Sequence, residues 1–276
     1  MEKGSNNEGV AYFEALNTEY ALPLTEYFLG YALFRNNENH KALTFISESL
    51  EKKSFKDRYI GDRKFAEFLT FNSNGVEGQL FQAGLNELEK YRKAKGLAEN
   101  SQEILSLHAF FYLKQRNYST AITFFRQLAE TVDDNEEKVS NLFLIAYIYE
   151  EKIRDYSKAD VVLEEILTIS ENRIAYQKKI DIYEKTTEQL LKKGDLLLKY
   201  LRNLGELNKG KEDIALSLQE FEKIFSKAEI IFVKLNRAAE GVKRTGRPII
   251  KNKRLVFLRS QVDALRKEYV SIATKL

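Results

Sequence analysis

Along the first 170 residues, small and large apolar positions recur in a fixed frame. Gly30 is followed by Leu33, by Ala42 twelve positions on, and by Ile46 four later. The frame returns as Ala109, Tyr112, Ala121 and Phe125. It returns once more, with one extra residue assigned to the turn, as Ala146, Tyr149, Ala159 and Leu163. Tyr118 and Tyr156 each stand three residues before the second small position. This spacing predicts pairs of helices: a small residue on each helix lets the two cross closely, and the large residues fill the space between successive pairs. A degenerate unit at 57–95 keeps Ala83, so Ala42, Ala83, Ala121 and Ala159 step by 41, 38 and 38 residues, but its first helix lacks the frame. Val10 to Leu16 reads as a helix ahead of the first unit, either a cap or the remnant of a repeat begun upstream.

Beyond residue 170 the pattern changes to apolar tracks whose steps alternate four and three. One runs Tyr176, Ile180, Tyr183, Thr187, Leu190, Gly194, Leu197, Leu201, Leu204. A second runs Ile214, Leu218, Phe221, Phe225, Ala228, Phe232, Leu235, Ala239, Val242, and a third runs Leu255, Leu258, Val262, Leu265, Tyr269, Ile272, Leu276. Such tracks keep one stripe of a helix against a partner. The breaks, Gly205 to Gly210 and Thr245 to Pro248, are short enough to favour antiparallel neighbours. A three-helix antiparallel coiled-coil bundle follows, its first two helices about 50 Å long at 1.5 Å per residue. Thr187 and Gly194 are expected to weaken the first seam. The β-branched stretch at 248–258 could form a strand, but the periodicity from Leu255 onward outweighs that reading.

The frame at 24–52, 102–131 and 139–170 resembles the tetratricopeptide repeat family. It departs from that family in its longer spacing and in lacking the characteristic Trp and Pro. The resemblance implies an all-α fold: a right-handed superhelical solenoid of helix-turn-helix repeats over 1–172, followed by the coiled-coil bundle over 173–276. It also implies a concave face, lined by the first helix of each pair, that receives a partner peptide or helix. Carried over position by position, that face holds Tyr27, Tyr31 and Arg35, then Phe110 and Lys114, then Tyr147 and Glu151. The family's clamp for a C-terminal carboxylate uses Lys and Asn. The matching positions here are Tyr27, Tyr31, Ser106 and Phe110, which implies an apolar or amphipathic segment instead.

Composition narrows the chemistry. Only 2 Pro and 13 Gly in 276 residues agree with helices, and the absence of Cys removes disulfides, thiol nucleophiles and Cys-based zinc sites. The longest apolar run, Leu142 to Tyr149, falls far short of the roughly 20 residues that span a bilayer. No phosphate-binding glycine loop, nucleophile elbow or HExxH motif is present. His108 lies on an apolar helix face and reads as a core residue; His40 reads as a turn or first-turn residue. Asp133 to Glu137 reads as a helix start, where Asp134 and Glu137 suit a capping box. Neither catalysis, a metal nor a cofactor is expected.

Charge is close to balanced overall, at 44 Lys and Arg against 41 Asp and Glu. Locally it is not. Lys243, Arg244, Arg247, Lys251, Lys253, Arg254 and Arg259 lie in a stretch, Gly241 to Gln261, that holds no acid. Such a turn could contact nucleic acid or an anionic surface, or be a solvated hairpin. It could also pair with Glu150, Glu151, Glu164 and Glu165, because the second turn of the bundle returns toward the repeats. Nucleic acid is disfavoured because no recognition helix interleaves basic and groove-reading side chains. The expected function is that of a non-catalytic adaptor or scaffold that binds a protein segment and uses its helical arm for assembly, with a homo-oligomer through the C-terminal helices as an open alternative. No transmembrane segment or secretory leader is visible. The sequence as written suits the cytoplasm, and a periplasmic or membrane-tethered address if a leader or anchor once preceded it.

Overall fold

The computed structural model describes residues 3–52, 59–73, 78–206, 211–246 and 253–274. Among them the chain is all-α and contains no strand. The helices are α1 (Lys3–Tyr20), α2 (Pro23–Arg35), α3 (Asn39–Glu51), α4 (Arg63–Asn72), α5 (Gln79–Lys95), α6 (Gln102–Lys114), α7 (Tyr118–Thr131) and α8 (Asn135–Tyr147). A π-helical stretch, Ile148–Ile153, follows, and then α9 (Tyr156–Ile169), α10 (Arg173–Glu206), α11 (Lys211–Arg244) and α12 (Lys253–Ala273). They form two compact units, Met1–Asp134 and Asn135–Leu276. The boundary anticipated at 172 lies inside the second unit, because α9 packs along α10.

In the first unit α1 packs on α2, and the pairs α2/α3, α4/α5 and α6/α7 follow; α4 lies against α6, and α3 against α5. Gly30 shows why the small positions recur. A Cβ there would meet the Ile46 side chain and stand 3.1 Å from the Ala42 carbonyl oxygen. Tyr27, Leu29, Leu33, Ala42, Ile46, Phe65 and Leu69 share one core cluster; Ala66, Leu88, Ile104, Leu107 and Phe111 share another. The degenerate unit turns out to carry the frame in altered form. Ala66 and Leu69 on α4 take the first two places and Ala83 the third, but seventeen residues rather than twelve separate Ala66 from Ala83, because the connection from α4 to α5 is longer. Gly84 provides the close approach here, packing on Thr70 and on the Ala66 carbonyl. The fourth place, filled by Ile46, Phe125 and Leu163 in the other units, is Glu87, and it is fully buried.

The turns inside the recognised pairs are alike. Asn37, Arg116 and Arg154 all have left-handed φ, at 65°, 59° and 61°, each two residues before its second helix. The amide of Glu38 donates to the Leu33 carbonyl and that of Asn117 to the Tyr112 carbonyl, both at 2.9 Å, the six-to-one bond of a Schellman cap. Asn117 and Asp155 then cap the following helices through Thr120 and Lys158 amides. The extra residue of the third pair is not in this turn, as expected from spacing. It is absorbed in the π-helical stretch, so the amide of Asp155 reaches back to Tyr149 while Arg154 keeps the common geometry.

In the second unit α8 and α9 pair, and α10, α11 and α12 form a three-helix bundle whose helices coincide with the three tracks. Both α10 and α11 have 34 residues, about 50 Å each. Leu198, Leu201, Phe221, Phe225, Ala228, Phe232, Val262, Leu265 and Tyr269 form its core. Cross-contacts fix the direction: Lys193 pairs with Glu220 and Arg244 with Tyr176, so α10 and α11 are antiparallel. Arg259 pairs with Glu229 while Phe221 stacks on Tyr269, so α11 and α12 are antiparallel too. Gly194 is a socket rather than a weak place in the seam, since the Leu265 side chain occupies the space its Cβ would fill. Thr187 is buried and satisfies its hydroxyl on the Tyr183 carbonyl at 2.8 Å. Residues 248–252, part of the stretch weighed as a strand, lie outside the described residues; from Lys253 the chain is helical.

Candidate functional site

The expected binding face comprises the first helices of the pairs. At its α2 edge, Tyr27 is 0% exposed and belongs to the core, so it offers no surface to a partner. Its hydroxyl donates to Glu87 Oε1 at 2.9 Å. Burial, and then the neighbouring Glu87 charge, push this phenol well above its ordinary value. Glu87 also accepts the amides of Ile60 at 2.6 Å, Asp62 at 3.3 Å, and Gly61. It thereby holds the chain entering α4. Asp62, so placed, caps α4 through the amides of Lys64 and Phe65 and accepts the Tyr31 hydroxyl at 2.7 Å. Arg35 Nη1 reaches the same Asp62 oxygen at 3.4 Å. Burial and the Asp62 hydrogen bond raise the Tyr31 phenol to about 12. Tyr31 and Arg35 are thus brought together, already engaged with α4.

The α4–α6 edge is different. Arg63, Glu67 and Phe71 succeed one another at helical spacing on α4, as Phe110 and Lys114 do on α6. Phe71 is 46% exposed and Phe110 39%. Each ring rests edge-on against a buried one: Phe71 on Phe111 at 5.7 Å, and Phe110 on Phe125 at 5.3 Å. The Lys114 ammonium lies 5.5 Å from the centroid of Phe71. Gln115 fastens the two helices by donating to Ser73 Oγ and, at 3.4 Å, to the Thr70 carbonyl. Phe71 was not picked out from sequence, because the stretched spacing of its unit hid the frame that places it beside Lys114.

In the second unit, Tyr147 is exposed at the end of α8 with the Lys152 ammonium 5.2 Å from its ring centroid. Glu151 is taken by Lys185 at 2.9 Å. The π-helical stretch turns Glu150 inward, where it is buried and accepts Lys178 at 2.8 Å and Lys185 at 2.7 Å. Asp160 accepts Lys179 at 2.6 Å, Lys234 at 2.9 Å and the Tyr183 hydroxyl at 2.6 Å. Burial alone would raise the Asp160 carboxyl, but these three donors outweigh it and hold the group below its ordinary value. Near these ion pairs Tyr176, Lys179 and Tyr183 line a cleft of about 740 Å³ between α9 and α11.

The described part of the basic turn meets acids and rings of the second unit. Among the described residues, Glu150, Glu151 and Glu164 are met by lysines of α10. Arg244 pairs with Glu171 at 3.0 Å and hydrogen-bonds Tyr176, while Arg259 pairs with Glu229 at 2.9 Å and covers the Phe232 ring. Lys243 is exposed. Arg247 and Lys251 lie outside the described residues; Lys253 and Arg254 open α12, their side chains likewise undescribed.

His108 stacks on Phe124 at 4.9 Å, and burial lowers its affinity for a proton. His40 is exposed in the first turn of α3. Among the described residues no three His, Asp or Glu side chains are placed to hold a metal ion, and no helix is long and apolar enough to cross a membrane.

No family model matches the chain, and no curated protein matches it. Among solved structures it is similar to a Bacteroides ovatus protein described as a "putative protein binding protein", at 16% identity and a TM-score of 0.40, over 90% of this chain and 99% of that one.

Proposed function

We propose that this chain is a non-catalytic protein-interaction adaptor. Its helix pairs, which resemble tetratricopeptide repeats, hold a segment of a partner protein, and the three-helix bundle is the arm through which a complex is assembled. The observation that carries this reading is the α4–α6 edge: two rings, Phe71 and Phe110, each packed on one side and open on the other, with the Lys114 ammonium over Phe71. Half-exposed, pre-positioned aromatic side chains give a partner large contact area at little entropic cost.

The test is affinity capture of the full-length protein from its native lysate, with and without nuclease, beside the Phe71→Ala plus Phe110→Ala variant. The adaptor reading expects one or a few stoichiometric proteins that survive nuclease and are lost in the double variant. Recovery that vanishes with nuclease and is indifferent to the double variant would move the function to the basic segment at 243–259.

A further inference from the structure

We infer that the Phe71–Lys114–Phe110 patch recognises an internal acidic residue flanked by an apolar side chain in an extended or helical partner segment. This rests on the adaptor reading and adds the chemistry of the occupant.

The argument begins with charge. Two arginines of this face are matched by carboxylates. Arg35 meets Asp62 at 3.4 Å. Arg63 meets Glu67 at 3.0 Å and Glu103 at 2.8 Å, and Glu103 also accepts the Tyr91 hydroxyl. Lys114 meets no carboxylate among the described residues; it lies over the face of Phe71. A partly exposed ring attracts an ammonium far less than a carboxylate does. Lys114 is therefore held in place by a weak contact, with its charge available.

Geometry supplies the rest. Phe110 stands one helical turn before Lys114 on α6, about 6 Å along the axis, and Phe71 approaches from α4. The ammonium thus has the Phe71 ring beside it, with Phe110 one turn earlier on the same helix. Those rings cannot easily turn away, because Phe111 and Phe125 behind them are fully buried and close-packed. Gln115 holds the end of α4 to the end of α6, so the helices that carry Phe71 and Lys114 are set beside each other before any partner arrives. A carboxylate arriving at Lys114 would lie beside the Phe71 ring, whose apolar face shields the pair from water and strengthens it. The side chain beside that carboxylate would cover a ring. A wholly apolar occupant would bury the ammonium without a partner, and a basic one would be repelled.

The experiment is selection on the full-length protein from two displayed libraries of random peptides, one with blocked C-termini and one with free C-termini. The blocked library is expected to yield peptides with Asp or Glu within two residues of an aromatic or branched aliphatic residue. The affinity of a selected peptide should fall at least tenfold with Lys114→Gln and weaken with added salt. Selection on Lys114→Glu should return Lys- or Arg-containing peptides instead. Circular dichroism of each variant checks that its helices are intact. Enrichment only from the free C-termini, or of apolar peptides without an acid that ignore Lys114→Gln, overturns the inference but leaves the adaptor reading standing. Failure to enrich any peptide, or enriched peptides indifferent to Phe71→Ala plus Phe110→Ala, overturns both.

Discussion

Tyr27 on α2 and Glu87 on α5 meet through a 2.9 Å hydrogen bond although 60 residues separate them, and both are fully buried. Glu87 occupies the place that Ile46, Phe125 and Leu163 hold in the other pairs. Its carboxylate is the acceptor for the chain at 60–62, whose Asp62 in turn receives Tyr31. Glu87→Leu would restore the repeat pattern yet leave three amides and a phenol without their acceptor. At about 1–3 kcal/mol for each buried group left unpaired, we expect a loss of at least about 3 kcal/mol in urea unfolding. Tyr27→Phe, which removes one donor, should cost about 1–2 kcal/mol. A neutral Glu87→Leu would show that the carboxylate is not the anchor.

The left-handed residues in the turns of the three recognised pairs, Asn37, Arg116 and Arg154, are not glycine. An L-residue in that conformation costs roughly 1–2 kcal/mol, while glycine loses about 0.4–1 kcal/mol through the entropy of the unfolded chain. Arg116→Gly, at φ 59°, should therefore stabilise the protein by about 0.5–1 kcal/mol, and Arg116→Ala should not. Thermal unfolding of the two variants checks this, and equal melting temperatures would count against the assigned turn.

Gly30→Ala places a Cβ 3.1 Å from the Ala42 carbonyl oxygen, which is helix backbone and cannot swing aside. Separating α2 from α3 should cost about 1–3 kcal/mol, the usual range for overpacking. Gly96→Ala meets no neighbouring atom and serves as the comparison, although its own left-handed φ adds strain.

His108 gives a pH dependence of defined sign. Burial lowers its proton affinity in the folded state, so the unfolded chain binds the proton more readily. The stability held by the neutral ring is complete above the unfolded value of about 6.5. It is lost progressively as pH falls from there toward the depressed folded value. His108→Phe, which can keep the stacking on Phe124, should flatten the stability curve over that interval relative to the wild type. Parallel curves for wild type and variant would contradict the burial of this side chain.

Periodicity made much of the architecture legible. The three tracks coincide with α10, α11 and α12 because a heptad seam repeats often enough for single exceptions, such as Gly194, not to hide it. The recurring frame located the pairs α2/α3, α6/α7 and α8/α9 for the same reason. Where one polar residue replaces an apolar one, the pattern alone misleads. Glu87 reads as a solvated position, and only the three-dimensional fold brings the amides of 60–62 to it. A longer connection between α4 and α5 hid Ala66, and with it Phe71, the ring that completes the candidate site. Tyr27 was placed on the face because a tyrosine that packs and one that binds look the same in sequence. The pairing of Arg244 with Glu171 and of Glu150 with Lys178 and Lys185 depends on helix rotation and on a π-helical turn, neither of which spacing reveals.

The most direct measurement replaces Phe110 with the photoreactive analogue benzoylphenylalanine in the full-length protein and irradiates it in its native lysate. The exposed Val161 position serves as the control. The account predicts a discrete cross-link from position 110 to one or a few proteins, resistant to nuclease, suppressed by Lys114→Glu and absent from position 161. Cross-links that are equally diffuse at both positions, or that disappear with nuclease, would contradict the claim that this face holds a protein segment.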